Sequence, residues 1–290
     1  MQNLLNIPAG RLHNVSVFLS ASVPTPERDH ECGGSNRDGL NDSPFVRIRD
    51  AAIRIEEAVV CLARAVFSEG GTLVFGGHPS ISPLVARVLG HYYLPNPAEE
   101  RIRDHDINRE ELFWENPSLV IYQSRAWEAH LADANSRLAQ HPQVKVKWVE
   151  VVDNEHASPH VKDRPQAPLS MRLMRERMIQ ESNPAAMVAI GGMQGVLDEV
   201  NLFSEQYFGR PIFSLSTTGG AASVLIRKTQ NRNIISDIDV KAKESIRAFW
   251  DAQKESSPDK MDSYIDPSSY IPYAFVAQQI VAQILKGRQG

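Results

Sequence analysis

Short apolar runs alternate along the chain with longer segments whose apolar residues recur every three or four positions. The runs Val15–Leu19, Thr72–Phe75, Leu119–Tyr122, Val144–Val152, Ala186–Ile190 and Pro211–Leu215 read as strands. They are apolar almost throughout rather than at alternate positions, which predicts burial on both faces and hence a parallel sheet. Helical periodicity falls between them, over Val46–Phe67, Ile81–His91, Ala126–Gln140, Leu169–Glu181, Val196–Tyr207 and Ala221–Arg227. Strand and helix in alternation imply right-handed crossovers. The fold class is therefore α/β, a doubly wound, mostly parallel sheet with helices on both faces. Two more helices, about Asp239–Lys254 and Ser269–Lys286, form a C-terminal extension. The last is strongly apolar at Ile271, Phe275, Ile280, Val281 and Ile284, and is expected to pack on the body of the same domain. The division is thus 1–230 for the sheet domain and 231–290 for the extension. Thr25–Ser43, Pro95–Asn116 and Asp153–Pro168 are polar and read as surface loops, placed to cover a site.

Composition narrows the function. With 290 residues, 42% of them hydrophobic and 23% charged, the chain can bury a sizeable core, which excludes disorder for its bulk. No apolar run reaches the roughly 20 residues that a membrane helix needs. The start, MQNLLNIPAGRLHNV, lacks the basic and apolar regions of a secretory signal. A net charge of −4 provides no basic field for nucleic acid. Cys32 and Cys61 are too few for a disulfide framework or a thiolate metal site, and Cys61, among Ala58, Val59, Val60 and Leu62, reads as an inert core thiol. The expectation is a cytoplasmic protein without a cofactor, a nucleic-acid partner or a membrane.

Ligands of open parallel sheets bind beyond the carboxyl ends of the strands. The residues that follow four of the runs are small or hydroxylated: Ser20-Ala21-Ser22, Gly76-Gly77-His78-Pro79-Ser80, Gly191-Gly192-Met193-Gln194-Gly195 and Ser216-Thr217-Thr218-Gly219-Gly220. Glycine allows close approach of the backbone, and a helix beginning at such a turn presents free N–H groups to an anion. Tight turns need glycine for steric reasons as well, so it is the repetition at one edge that points to a phosphate- and sugar-bearing ligand. None of the four matches G-x-G-x-x-G or G-x-x-x-x-G-K-[ST], which disfavours a standard NAD dehydrogenase or a P-loop NTPase. Ser20, Ser22, Gly76, Gly77, His78, Ser80, Gly191, Gly192, Met193, Gln194, Gly195, Thr217, Thr218, Gly219 and Gly220 are the candidate ligand contacts.

The helix over Leu169–Glu181 places Met171, Met174 and Met178 on one face, read as core. Arg175 and Arg177 border that stripe on opposite sides; a ligand anion and a structural salt bridge account for each equally well. Arg172 and Glu176 share the solvent face and can pair. In the helix after Gly195, Val196, Val200 and Phe203 form the inner stripe, Glu199 borders it and Asp198 is expected to point away. A carboxylate at Glu199 would bind ribose hydroxyls or act as an acid or base. His156 and His160, with Asp153 and Glu155, have metal-like spacing, but Pro159 argues against a helical pair, and no metal site is assigned.

MRERM at Met174–Met178 followed by GGMQGVLDE at Gly191–Glu199 resembles the Lonely guy enzymes, with their M-x-x-R-K helix and P-G-G-x-G-T-x-E-E turn. Those enzymes belong to the SLOG superfamily of Rossmann-like proteins. VFLSASVPTPERD, LVFGGHPSISPLV, IYQS and SLSTTGGAA are similar to the prokaryotic TRPM-type branch, and the resemblance spans about Val15 to Leu225. It implies a site for a nucleotide or its relatives: a nucleoside monophosphate, ADP-ribose, an NAD derivative or a cyclic signal. It also implies Arg177 and Glu199 as the catalytic pair of an N-glycosidase. The chain departs from the enzyme motif at Ile190, at Met178, in lacking the threonine, and in one extra residue between Gly192 and Gly195. Those departures favour binding and sensing over hydrolysis. Other branches sit in bacterial conflict systems and act with a separately encoded effector, so a homo-oligomer and an effector partner are expected from the resemblance.

Overall fold

The computed structural model describes residues 10–23, 50–93, 116–130, 133–155, 167–228, 234–235, 237–256 and 270–288. Seven parallel strands form one sheet: β1 (Ser16–Ser22), β2 (Thr72–Phe75), β3 (Leu119–Ser124), β4 (Val144–Val149), β5 (Ala186–Gly191), β6 (Ile212–Leu215) and β7 (Ile234–Ile235), in the order β4-β3-β2-β1-β5-β6-β7. The chain runs outward from β1 to β4 and then returns to the other side of β1. The reversal between β1 and β5 is a topological switch point, where doubly wound sheets open a crevice. The helices are α1 (Ala51–Ser68), α2 (Ser82–Tyr93), α3 (Asp133–Leu138), α4 (Pro168–Ser182), α5 (Gln194–Gln206), α6 (Gly220–Lys228), α7 (Ile238–Ser256) and α8 (Tyr273–Gly287).

Alternate strand residues serve two cores because successive side chains point to opposite faces. Val17, Leu19, Leu73, Phe75, Val188 and Ile190 pack with α1, α2 and α8. Phe18, Val74, Tyr122, Met187 and Ala189 pack with Met174 and Met178 of α4, Val196, Val200 and Phe203 of α5, and Val224 of α6. This double burial is why the strands read as continuous apolar runs. Cys61 is half-buried against the first core, and burial pushes its thiol pKa up.

Several boundaries differ from the periodicity. β1 continues through Ser20 and Ser22, which pair with Ala189 and Gly191, so these serines sit in the strand and not in a turn after it. β4 stops at Val149. The single helix predicted over Ala126–Gln140 is a 3-10 turn, Arg125–His130, followed by α3. Ser124 Oγ accepts the Ala126 N–H at 3.2 Å and tightens this start. Phe275, predicted to face inward, is exposed, whereas Tyr273, Val276, Ile280, Val281 and Ile284 of α8 are buried. Cys32, His156, His160 and most of the three polar segments lie outside the described residues. No helix among the described residues is long and apolar enough to cross a membrane.

The extension is tied to the sheet through one buried carboxylate. Asp239, fully buried near the start of α7, accepts the Thr217 backbone N–H at 2.7 Å and its hydroxyl at 2.5 Å. The same hydroxyl lies 3.0 Å from the Tyr273 hydroxyl of α8, and Arg54 Nη1 donates to the Thr217 carbonyl at 3.2 Å. Burial raises the Asp239 pKa against the lowering effect of these donors, and raises that of Tyr273 as well. Asp239→Ala would leave the Thr217 donors without their acceptor, and is expected to cost about 2–4 kcal/mol in urea unfolding. A loss below about 0.5 kcal/mol would show that water replaces the carboxylate freely.

Candidate functional site

A cavity of 260 Å³ opens at the carboxyl ends of the strands, lined from β1 (Leu19, Ala21, Ser22), the turn after β2 (Phe75 to Pro79), the end of β3, α4 and the first turn and a half of α5. Its position is the crevice that the switch point predicts. The two glycines after β2 form one wall. Gly77 has φ 63°, and a Cβ there would stand 1.9 Å from Gln123 Nε2 and 2.8 Å from Ile121 Cγ2, so the turn requires glycine. Gln123 Nε2 donates to the Gly76 carbonyl at 3.1 Å and Asn135 Nδ2 to the Gly77 carbonyl at 2.7 Å. Two amide side chains, one from β3 and one from α3, thus hold the bend in place. His78 Nδ1 lies 2.8 Å from Ser80 Oγ, which also accepts the Val23 N–H, so this histidine is fixed within its own turn while lining the cavity.

The opposite wall carries the charge. Arg175 of α4 reaches across to α5, with Nη1 3.2 Å from Asp198 Oδ2 and Nε 3.4 Å from Glu199 Oε1. Gly195 makes room for it: a Cβ there would lie 2.8 Å from Arg175 Nη2. Glu199, with 15% of its side chain exposed, also accepts a hydrogen bond from Ser20 Oγ. Burial holds the Glu199 carboxyl above the usual carboxylate range, while Arg175 and Ser20 pull it down. Among the described residues, three buried side-chain polar atoms lack a hydrogen-bond partner: Trp127 Nε1, Asn135 Oδ1 and Arg175 Nε. All three belong to residues that line this cavity. Leaving such groups unpaired costs about 1–3 kcal/mol each; Arg175 Nε has the Glu199 carboxylate 3.4 Å away, so the groups left wanting a partner are those of Trp127 and Asn135.

The predicted residues divide between this cavity and a second, packed junction. Ser22, Gly76, Gly77, His78, Arg175, Gly195 and Glu199 line the cavity, and Ser20 touches it through Glu199. Arg177 does not. Two residues along a helix turn it by about 200° from Arg175, and its guanidinium, 56% exposed, stands 3.8 Å from Glu181. Arg175, and not Arg177 at the motif position, is therefore the arginine that lines the cavity. Asp198, expected to point away, pairs with Arg175 and accepts from Gln194 at 2.8 Å. Arg172 and Glu176 pair at 2.8 Å on the solvent side, as their spacing predicts.

Gly191, Gly192, Thr217, Thr218, Gly219 and Gly220 make the packed junction instead of a ligand wall. Gly191 N–H donates to Thr218 Oγ1 at 2.8 Å, Gly192 N–H to the Ser22 carbonyl at 2.8 Å, and Ala221 N–H to the Gly192 carbonyl at 2.9 Å. The backbone N–H groups of Gly191, Gly192, Thr217 and Gly219 are used within the protein, and none of the six residues lines the cavity, which draws instead on the β1 and β2 ends with α4 and α5. Met193 packs at the edge of the second core and Gln194 is exposed. Sequence reasoning missed Gln123, Ser124, Trp127 and Asn135. The IYQS run ending β3 carried a signal for the first two; Trp127 and Asn135 lay in a segment with the appearance of an ordinary amphipathic helix. Among the described residues, no group of His, Cys, Asp and Glu is placed to hold a metal ion.

No curated protein matches the chain. A solved structure, that of the structural-genomics target TM1055, shares 15% identity over 76% of this chain and 89% of its own, with a TM-score of 0.39, a likeness too slight to argue from. The SLOG cluster3 family matches residues 107–243, from before β3 into α7. That span contains Trp127, Asn135, Arg175 and Glu199, and it overlaps the stretch in which the sequence motifs resemble this group. This match, over just under half of the chain, supports membership of the SLOG superfamily.

Proposed function

We propose that the protein binds a small nucleotide- or NAD-derived molecule in the cavity between β1, β2, β3, α4 and α5, as the recognition part of a sensor. The observation that carries this reading is a space of 260 Å³ at the switch point, lined by Arg175 with Glu199 and by Trp127 and Asn135, each of which has a polar atom without a partner in the fold. Superfamily membership supports a nucleotide-related ligand, and apolar walls with a few convergent polar groups are the usual make-up of such sites. Calorimetry with nucleosides, 5′-mononucleotides, ADP-ribose and NAD is the test. Binding of at least one, weakened by Asn135→Leu in a protein that keeps its circular dichroism, is expected. Binding of none would remove the reading.

A second reading, hydrolysis of an N-glycosidic bond, is favoured by one observation: a buried carboxyl of raised pKa, Glu199, lies beside Arg175 within the cavity. Glu199 would stabilise the oxocarbenium-like sugar or activate water, and Arg175, not Arg177, would assist the leaving group. Release of free base by the wild type, falling about 100-fold or more in Glu199→Gln, is expected on this reading. Equal, negligible rates in both would leave binding alone.

A further inference from the structure

We propose that the cavity takes the uncharged base-and-sugar portion of its ligand and leaves any phosphate outside. The inference rests on the binding reading above and names the chemistry of the part that enters. Among the described lining residues, Arg175 is the one permanently cationic side chain, and it already faces two carboxylates, Asp198 at 3.2 Å and Glu199 at 3.4 Å. A phosphate drawn in here would bring up to two negative charges to a place where carboxylates outnumber guanidinium. In a partly desolvated space that repulsion is stronger than in water.

The remaining groups suit a neutral heteroaromatic ring. Leu19, Phe75, Met171, Met174 and Val196 supply apolar walls on both sides. Trp127 Nε1 is a donor without a partner and Asn135 Oδ1 an acceptor without one, while Arg175 Nε is turned to Glu199. One donor and one acceptor match a carbonyl or ring nitrogen and an amino or ring N–H of a nucleobase edge. The Glu199 carboxylate beside them accepts from hydroxyls, as it does from Ser20, and can do the same for a ribose. The volume of 260 Å³ lies below the usual range of about 300–1,000 Å³ for drug-sized ligands, and so favours one base with its sugar over a whole dinucleotide.

The test is calorimetry of the full chain with adenosine, guanosine, cytidine and uridine, each against its own 5′-monophosphate. At least one nucleoside is expected to bind within about threefold of its monophosphate, or more tightly. Trp127→Phe, which keeps the ring and removes the N–H, is expected to weaken that nucleoside by about three- to tenfold, the worth of one hydrogen bond. Glu199→Gln, which removes one of the two carboxylates, is expected to shift the preference toward the monophosphate by about threefold or more. Monophosphates that bind at least about tenfold more tightly than every nucleoside, or a preference that Glu199→Gln leaves unchanged, would overturn the inference while the binding reading stands. Binding of nothing in this panel, nor of ADP-ribose or NAD, would end both.

Discussion

Gly220→Ala is expected to destabilise the protein by about 3 kcal/mol, combining a left-handed backbone with overpacking. Gly220 has φ 57°, and a Cβ there would stand 2.4 Å from the Gly192 carbonyl oxygen and 2.9 Å from the Gly191 carbonyl carbon. These are backbone atoms of the strand next to the switch point, so no flexible side chain can give way. Relief would require the start of α6 to part from the end of β5 where Ala221 N–H bonds to the Gly192 carbonyl. Gly287→Ala is the control: nothing lies within 4 Å of its Cβ, and a change within about 0.5 kcal/mol is expected. Equal unfolding midpoints for the two variants would mean that the junction is not rigid.

Arg175→Met should cost about 2–3 kcal/mol at neutral pH, because it strips the counter-charge from Glu199 and the half-exposed Asp198. The loss should depend on pH. Glu199 already titrates above the free glutamate value of 4.5, so the folded state holds its proton more tightly than the unfolded chain does. Such a group favours folding below the unfolded value and withdraws that support as pH rises through the folded value. Arg175 now limits this rise, and without it the folded value climbs further. The deficit of Arg175→Met relative to wild type should therefore be greatest at and above neutrality and shrink as pH falls toward 4.5. Urea unfolding of both proteins across that interval measures it. A deficit independent of pH would place the role of Arg175 in packing rather than charge.

Much of the fold was legible because the strands are buried on both faces. Phe18 and Leu19, or Val188 and Ala189, serve opposite cores, and a run apolar on both faces leaves a clear trace in the sequence. β7 was not legible: Ile234–Ile235 is two residues long and carries no period. The site was legible in part. Gly77 and Gly192 look alike in sequence, and what separates them is their partners. Gly77 is held by Asn135, with Gln123 on Gly76 beside it, and faces a cavity, while Gly192 is closed over by Ser22 and Ala221. Thr217 reads as a ligand hydroxyl until Asp239 and Tyr273, from the C-terminal helices, are seen to occupy it. Arg175 and Arg177 flank the same methionine stripe, and the difference lies in Gly195, whose missing side chain opens the path for one of them.

The claim on which the functional account depends is that ligand fills the space between Trp127, Asn135 and Arg175. A crystal structure of the chain with the tightest binder of the nucleoside and nucleotide panel measures this directly. The account predicts a base within hydrogen-bond reach of Trp127 Nε1 and Asn135 Oδ1. Ligand bound instead at the opposite, amino ends of the strands, in the 400 Å³ cavity bordered by Asn14, Arg210 and Arg288, would contradict it.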